Sequence, residues 1–170
     1  MAPPDWCATV GPVVASSRQA LQASVAPSID TLAIVSWNVH VGGGDIAGFV
    51  RALRDGRFTG GKVVTDFVLL LQEVYRSGEH VPPGVSRGAP VPPAIRPTPS
   101  WGQRHDIVQI ASALDLSLFY APSMRNGHPP DAGSAAEDRG NAILATRGLD
   151  QLTAIELPFT RMRRVALAAT

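Results

Sequence analysis

The stretch TLAIVSWNVH, residues 31–40, decides how this chain is read, and DFVLLLQEV, residues 66–74, is its counterpart. In the first, Leu32, Ala33, Ile34, Val35 and Trp37 form an apolar run that breaks at Asn38 and His40, with Gly42, Gly43 and Gly44 following at once. An apolar run of this length, rich in β-branched residues and closed by glycine, predicts a buried strand. In the second, Phe67 to Leu71 predict another buried strand, ending in Gln72 and Glu73. Between them Asp45 stands as a helix N-cap, Ile46, Phe49, Val50 and Leu53 repeat at helical spacing, and Gly56 occupies a C-terminal stop. A helix-length crossover suits two parallel neighbours. Pairing them in parallel sets the Asn38 amide beside the Glu73 carboxylate at the strand ends.

Outward from this unit the signals thin. Residues 1–30 are rich in Ala, Pro and Ser and read as an N-terminal extension packed partly on the domain, with a short helix expected within 16–25. The domain proper is expected to cover 31–170. Residues 75–100 hold seven prolines and three glycines, which excludes a helix or central strand and predicts a long loop carrying Arg76, Arg87 and Arg96. A second helix is expected over 105–116, capped by Asp106, with Ile107, Ile110, Ala111 and Leu114 at helical spacing. Strands are expected at 116–121, 141–146, 152–157 and 163–169, with a loop over 122–139. This order predicts a mixed α/β (α+β) domain.

Bulk properties exclude more than they identify. Hydrophobic residues make up 45% and charged residues 17% of the 170, an ordinary globular balance that permits one core. The net charge of +1 gives no whole-surface attraction to nucleic acid or anionic membrane, and no aromatic–basic stripe is visible. Lys62 is the only lysine, so arginine carries nearly all the positive charge, as a GC-rich genome also produces. Cys7 is the only cysteine, so no disulfide forms within the chain. No apolar run reaches the ~18 residues of a membrane span, and the first residues carry no signal-peptide pattern. The localisation stays open.

From position alone, Glu73 fits either a carboxylate at a strand end, solvated or paired with Arg76, or a ligand for a hard cation such as Mg²⁺, which takes oxygen donors. Asn38 fits either a turn residue beside glycine or an amide that orients a carboxylate or a phosphate oxygen. His40 reads as a surface imidazole. The Gly42–Gly43–Gly44 run matches neither phosphate-loop pattern and reads as a tight turn.

The W-N-V of Trp37, Asn38 and Val39, the Q-E of Gln72 and Glu73, and GNAILAT at 140–146 together resemble the endonuclease/exonuclease/phosphatase superfamily, the deoxyribonuclease I-like metal-dependent phosphodiesterases. The resemblance implies a two-sheet sandwich flanked by helices. It implies metal-dependent hydrolysis of phosphodiester or phosphomonoester bonds, with Mg²⁺ (or Mn²⁺) on Glu73 and with Asn38 and Glu73 as the catalytic pair. It further implies that Arg164, at the start of the last strand, contacts substrate phosphate, with Asn141 and Asn126 as lesser candidates and Arg163 and Arg139 nearby. The substrate is then a phosphate ester, whether nucleic acid, phospholipid headgroup or inositol phosphate; no protein partner is implied.

The resemblance covers only the first half of the family pattern. The family's later G-D-x-N strand, which positions the attacking water, has no counterpart here, and none of the four histidines follows an aspartate as the terminal Asp-His pair requires. The expectation is therefore an N-terminal half, with one sheet face left apolar and bare, poorly soluble and inactive until completed. The rival reading is a non-catalytic binding or scaffold relative of the same fold. A nucleotide-binding domain lacks the phosphate loop it needs.

Overall fold

The computed structural model describes residues 10–18, 32–81, 104–125, 136–158 and 163–170. Seven strands and two helices follow in the order β1 (Val14–Ser16), β2 (Ala33–Asn38), α1 (Ile46–Arg54), β3 (Phe67–Ser77), α2 (Ile107–Ala113), β4 (Ser117–Arg125), β5 (Glu137–Ala145), β6 (Thr153–Glu156) and β7 (Val165–Ala168). The main sheet has five strands in the order β1-β4-β5-β3-β2, and β6 and β7 form a separate antiparallel pair. This is a mixed α/β architecture, as the alternation of patterns predicts.

The central expectation holds at the backbone. β2 and β3 pair in parallel, with Ala33 opposite Phe67 and Asn38 opposite Gln72, while every other pairing in the sheet is antiparallel. The crossover is α1. Its N-cap Asp45 accepts the Gly48 N–H at 2.7 Å, and its core stripe of Ile46, Val50 and Leu53 lies over the sheet. Gly56, at φ +71°, ends it. In α2, Asp106 accepts from Val108 and Gln109, and its other oxygen takes the Ser77 N–H at 2.8 Å, so one cap fixes both the helix start and the end of β3.

One sheet face builds the core. Phe67, Leu69 and Leu71 of β3, Leu118 and Tyr120 of β4 and Leu144 of β5 are all at most 1% exposed beneath the helices. On the other face, β7 lies against β4 and β5, where Phe119 and Ile143 are buried. The β2–β3 side of that face is open: Ile34 is 66% and Leu70 is 37% exposed. β2 is thus a half-covered edge strand and not a buried one. Its apolar run fixes that it is a strand, but the run cannot tell one covered face from two.

Several boundaries shift. β3 does not end at Glu73; it continues four residues to Ser77, because β5 goes on pairing with it after β2 has stopped. Arg76 therefore lies in a strand and not in a loop. Residues 122–125 and 137–139 belong to β4 and β5, so the loop expected over 122–139 is shorter at both ends. Within 1–30, Val14–Ser16 is a strand paired with β4, where the sequence suggested only loose packing. The proline-rich stretch 82–103, with Arg87 and Arg96, and the 16–25 helix beyond residue 18 fall outside the described residues. Among the described residues, no helix is long and apolar enough to cross a membrane.

A buried polar cluster ties the β1 end to the sheet. Asp138, fully buried, accepts from Arg76 Nε at 3.0 Å and Nη2 at 2.5 Å, from the Tyr120 hydroxyl at 2.7 Å, and from the Gly11 N–H at 3.0 Å. Arg76 also donates to the Pro12 carbonyl at 2.8 Å and lies over the Tyr120 ring. Burial, and then the Asp138 charge, push the Tyr120 phenol well up.

Candidate active site

Asn38 ends β2, and Glu73 interrupts β3. In the β3–β5 register Leu71 faces Ala142 and Val74 faces Gly140, so Gln72 and Glu73 together oppose the single residue Asn141. That is a β-bulge, and Glu73 makes it with φ +54°. A left-handed backbone costs a non-glycine residue roughly 1–2 kcal/mol, and such strain collects where function demands a particular geometry.

The turn after β2 is strained in the same sense. His40, Val41 and Gly42 are all left-handed, at φ +52°, +56° and +75°. For β-branched Val41 this is an outlier. The turn is clipped along the bulge by two hydrogen bonds, Val39 N–H to the Gln72 carbonyl at 2.9 Å and Gly42 N–H to the Glu73 carbonyl at 3.0 Å. It then closes on itself through Gly43 to His40 and Gly44 to Val39. With those N–H groups already taken, the glycine run is a tight turn and not a phosphate cradle, as its spacing indicates.

The Glu73 carboxylate is half-buried and has no hydrogen-bond or ion-pair partner among the described residues. Arg76 is committed to Asp138, so of the two readings without a metal the Arg76 pair does not form and the solvated carboxylate stays open. Asn38 is exposed; its Oδ1 accepts the His40 N–H at 2.9 Å, which leaves the Nδ2 hydrogens to donate. Gln72, directly before Glu73, donates to Ser36 Oγ at 3.3 Å and to the Leu70 carbonyl at 2.9 Å. His40 lies in the turn, past the end of the strand, and is exposed.

The remaining candidates divide. Asn141 stands opposite the bulge, but its Nδ2 donates to the Val165 carbonyl at 2.7 Å, so it straps β7 to β5. Arg164, one residue before that strap, is exposed. Arg163 pairs with Glu156, at 2.7 Å from Nη2, and reaches the Pro122 carbonyl. Arg139 donates to the Met124 sulfur. Asn126 lies outside the described residues.

Sequence reasoning missed Tyr75 and the separate role of Gly42. The Tyr75 hydroxyl donates to Glu137 at 3.1 Å, and the Arg104 guanidinium lies 4.3 Å over its ring while making a bidentate pair with Glu137. Burial pushes the Tyr75 phenol up. The signal that points to Gly42 is its position four residues after Asn38, where the chain must turn back beside β3.

A single carboxylate with an adjacent amide suits Mg²⁺, which keeps several waters and binds through one or two carboxylates. It does not suit Zn²⁺, which needs three or four protein ligands, and no group of three His, Cys, Asp or Glu is poised for a metal among the described residues. No protein-family model, curated protein or solved structure matches the chain.

Proposed function

We propose that the chain carries the metal- and phosphate-binding half of a metal-dependent phosphoester hydrolase of the endonuclease/exonuclease/phosphatase type, with the deoxyribonuclease I-like fold its resemblance implies. The observation that carries the proposal is Glu73: a half-buried carboxylate with no partner among the described residues, on a strained bulge, beside the end of the parallel strand that bears Asn38. An unpaired, partly desolvated carboxylate is costly unless something of opposite charge binds it.

Glu73 would hold the Mg²⁺ ion, with water completing the shell. Bound there, the ion supplies positive charge to a phosphoryl oxygen and to the leaving oxygen. Asn38, its Oδ1 held by the turn, presents Nδ2–H to a phosphate oxygen. The exposed Arg164 guanidinium offers two parallel donors to the same group. Gln72, tied to Ser36 and Leu70, fixes the strand on the near side of the bulge. The residue that positions the attacking water in the resembling family belongs to a G-D-x-N strand that these 170 residues do not contain. Cation binding is therefore the primary readout, and turnover the second.

The test is titration calorimetry of the chain with Mg²⁺ and Mn²⁺, followed by hydrolysis of bis(p-nitrophenyl) phosphate. Binding at one site, lost in Glu73→Ala together with any Mg²⁺-dependent hydrolysis, is the expected result. Absence of binding overturns the proposal in favour of a non-catalytic relative, and hydrolysis that persists in Glu73→Ala overturns the assignment of the metal to Glu73.

A further inference from the structure

The left-handed turn and the bulge are two strained segments joined at one point, and that point is Gly42. Its N–H holds the Glu73 carbonyl at 3.0 Å. Its φ of +75° is open to glycine at no steric cost, and a Cβ added to it would stand 2.5 Å from the Tyr75 Cβ. Tyr75 cannot give way, since its Cβ is fixed by the strand and its ring is held between Glu137 and Arg104. Gly43 differs: it is exposed, its φ is not left-handed, and an added Cβ would meet the His40 carbonyl at 3.3 Å and the Val39 carbonyl at 4.0 Å.

We infer that Gly42 is a positioning residue for Glu73: by seating the turn against Tyr75, it holds the bulge in the left-handed conformation that presents the carboxylate. A side chain at 42 lifts the turn off β3 and removes the hydrogen bond to Glu73. The bulge then relaxes toward ordinary extended backbone, which changes the direction in which the carboxylate is presented. The part that concerns cation binding rests on the proposal above; the part that concerns backbone geometry stands without it.

The experiment compares Gly42→Ala with Gly43→Ala, using Mn²⁺ as the probe by electron paramagnetic resonance and the Glu73 ¹³Cα and ¹³Cβ shifts by NMR. Gly42→Ala is expected to weaken Mn²⁺ binding at least tenfold and to erase the left-handed shift signature at Glu73. Gly43→Ala is expected to stay within twofold of the native chain and to keep that signature. Removing the colliding carbon in Gly42→Ala/Tyr75→Gly is expected to restore part of the affinity. Native binding and native shifts in a folded Gly42→Ala overturn the inference. Should native chain and Glu73→Gln bind Mn²⁺ equally, the metal reading falls, and the Glu73 shifts alone decide the positioning role. If Gly42→Ala does not fold, amide exchange in the native chain decides: a Gly42 N–H as unprotected as a solvent-exposed amide overturns the inference.

Discussion

Two carboxylates on neighbouring strands, Glu73 of β3 and Asp138 of β5, have opposite surroundings. Asp138 is fully buried and accepts four hydrogen bonds, two of them from a buried arginine. Glu73 is half-buried and, among the described residues, accepts none. A buried charge survives only when paired and hydrogen-bonded, so Asp138 is complete within the fold. Glu73 has a left-handed backbone at a bulge and, among the described residues, no partner for its side chain. Asp138 serves the fold, while Glu73, on the reading proposed above, takes a cation.

The comparison breaks most sharply at Asp138. Asp138→Ala leaves Arg76 buried and unpaired, and is expected to cost about 3–5 kcal/mol in urea denaturation. A loss below about 1 kcal/mol would mean that water already reaches the cluster. Tyr120→Phe removes one hydrogen bond to the same charge and is expected to cost about 2 kcal/mol. At Glu73 the sign reverses. Glu73→Gly relieves the left-handed strain, less the extra backbone entropy of glycine, and is expected to raise stability by about 0.5–1 kcal/mol while abolishing cation binding. A destabilised Glu73→Gly would show that the carboxylate supports the fold after all.

The smallest effect belongs to a third carboxylate, Asp66, which pairs with Arg147 at 3.1 Å near the surface. The hydrogen bond from Arg147 holds the Asp66 carboxyl below its usual range. A folded-state value below the unfolded one means that this stabilisation is present above the ordinary aspartate range of about pH 4 and is lost as pH falls through the lower folded value. Asp66→Asn is expected to flatten the acid limb of stability against pH slightly and to leave the neutral region nearly unchanged, because the pair is partly exposed and screened. An unchanged acid limb would show that the pair contributes nothing.

The sequence was most legible where one physical signal acted alone. The Asp45 and Asp106 caps and the helical stripes behind them are local, and both helices form where the spacing puts them. The parallel pairing of β2 with β3, which sets Asn38 opposite Gln72, one residue before Glu73, followed from two apolar runs and a crossover. What the sequence hid was non-local. Arg76 follows Glu73 by three residues and looks like its partner, yet the bulge and the strand beyond it send Arg76 to Asp138 in β5, 62 residues away. Asn141 is a candidate because it flanks the GNAIL strand, and the bond from its Nδ2 to the Val165 carbonyl of β7 is one that no local pattern announces. The open face beside Ile34 and Leu70 is equally silent in the sequence, since an apolar run reads the same whether one side or both are covered.

The tie between Gly11 and Asp138 spans 127 positions. β1 is made before the other described strands, but β4, with which it pairs, and Asp138 of β5 follow far behind it. At a synthesis rate of about 5–20 residues per second, the first strand waits roughly 6–25 s before the carboxylate that anchors it exists. The nascent chain therefore passes through a stage in which β2, α1 and β3 have emerged while β1 still has no strand to pair with. Chaperone contacts mapped on stalled nascent chains would concentrate on that stage.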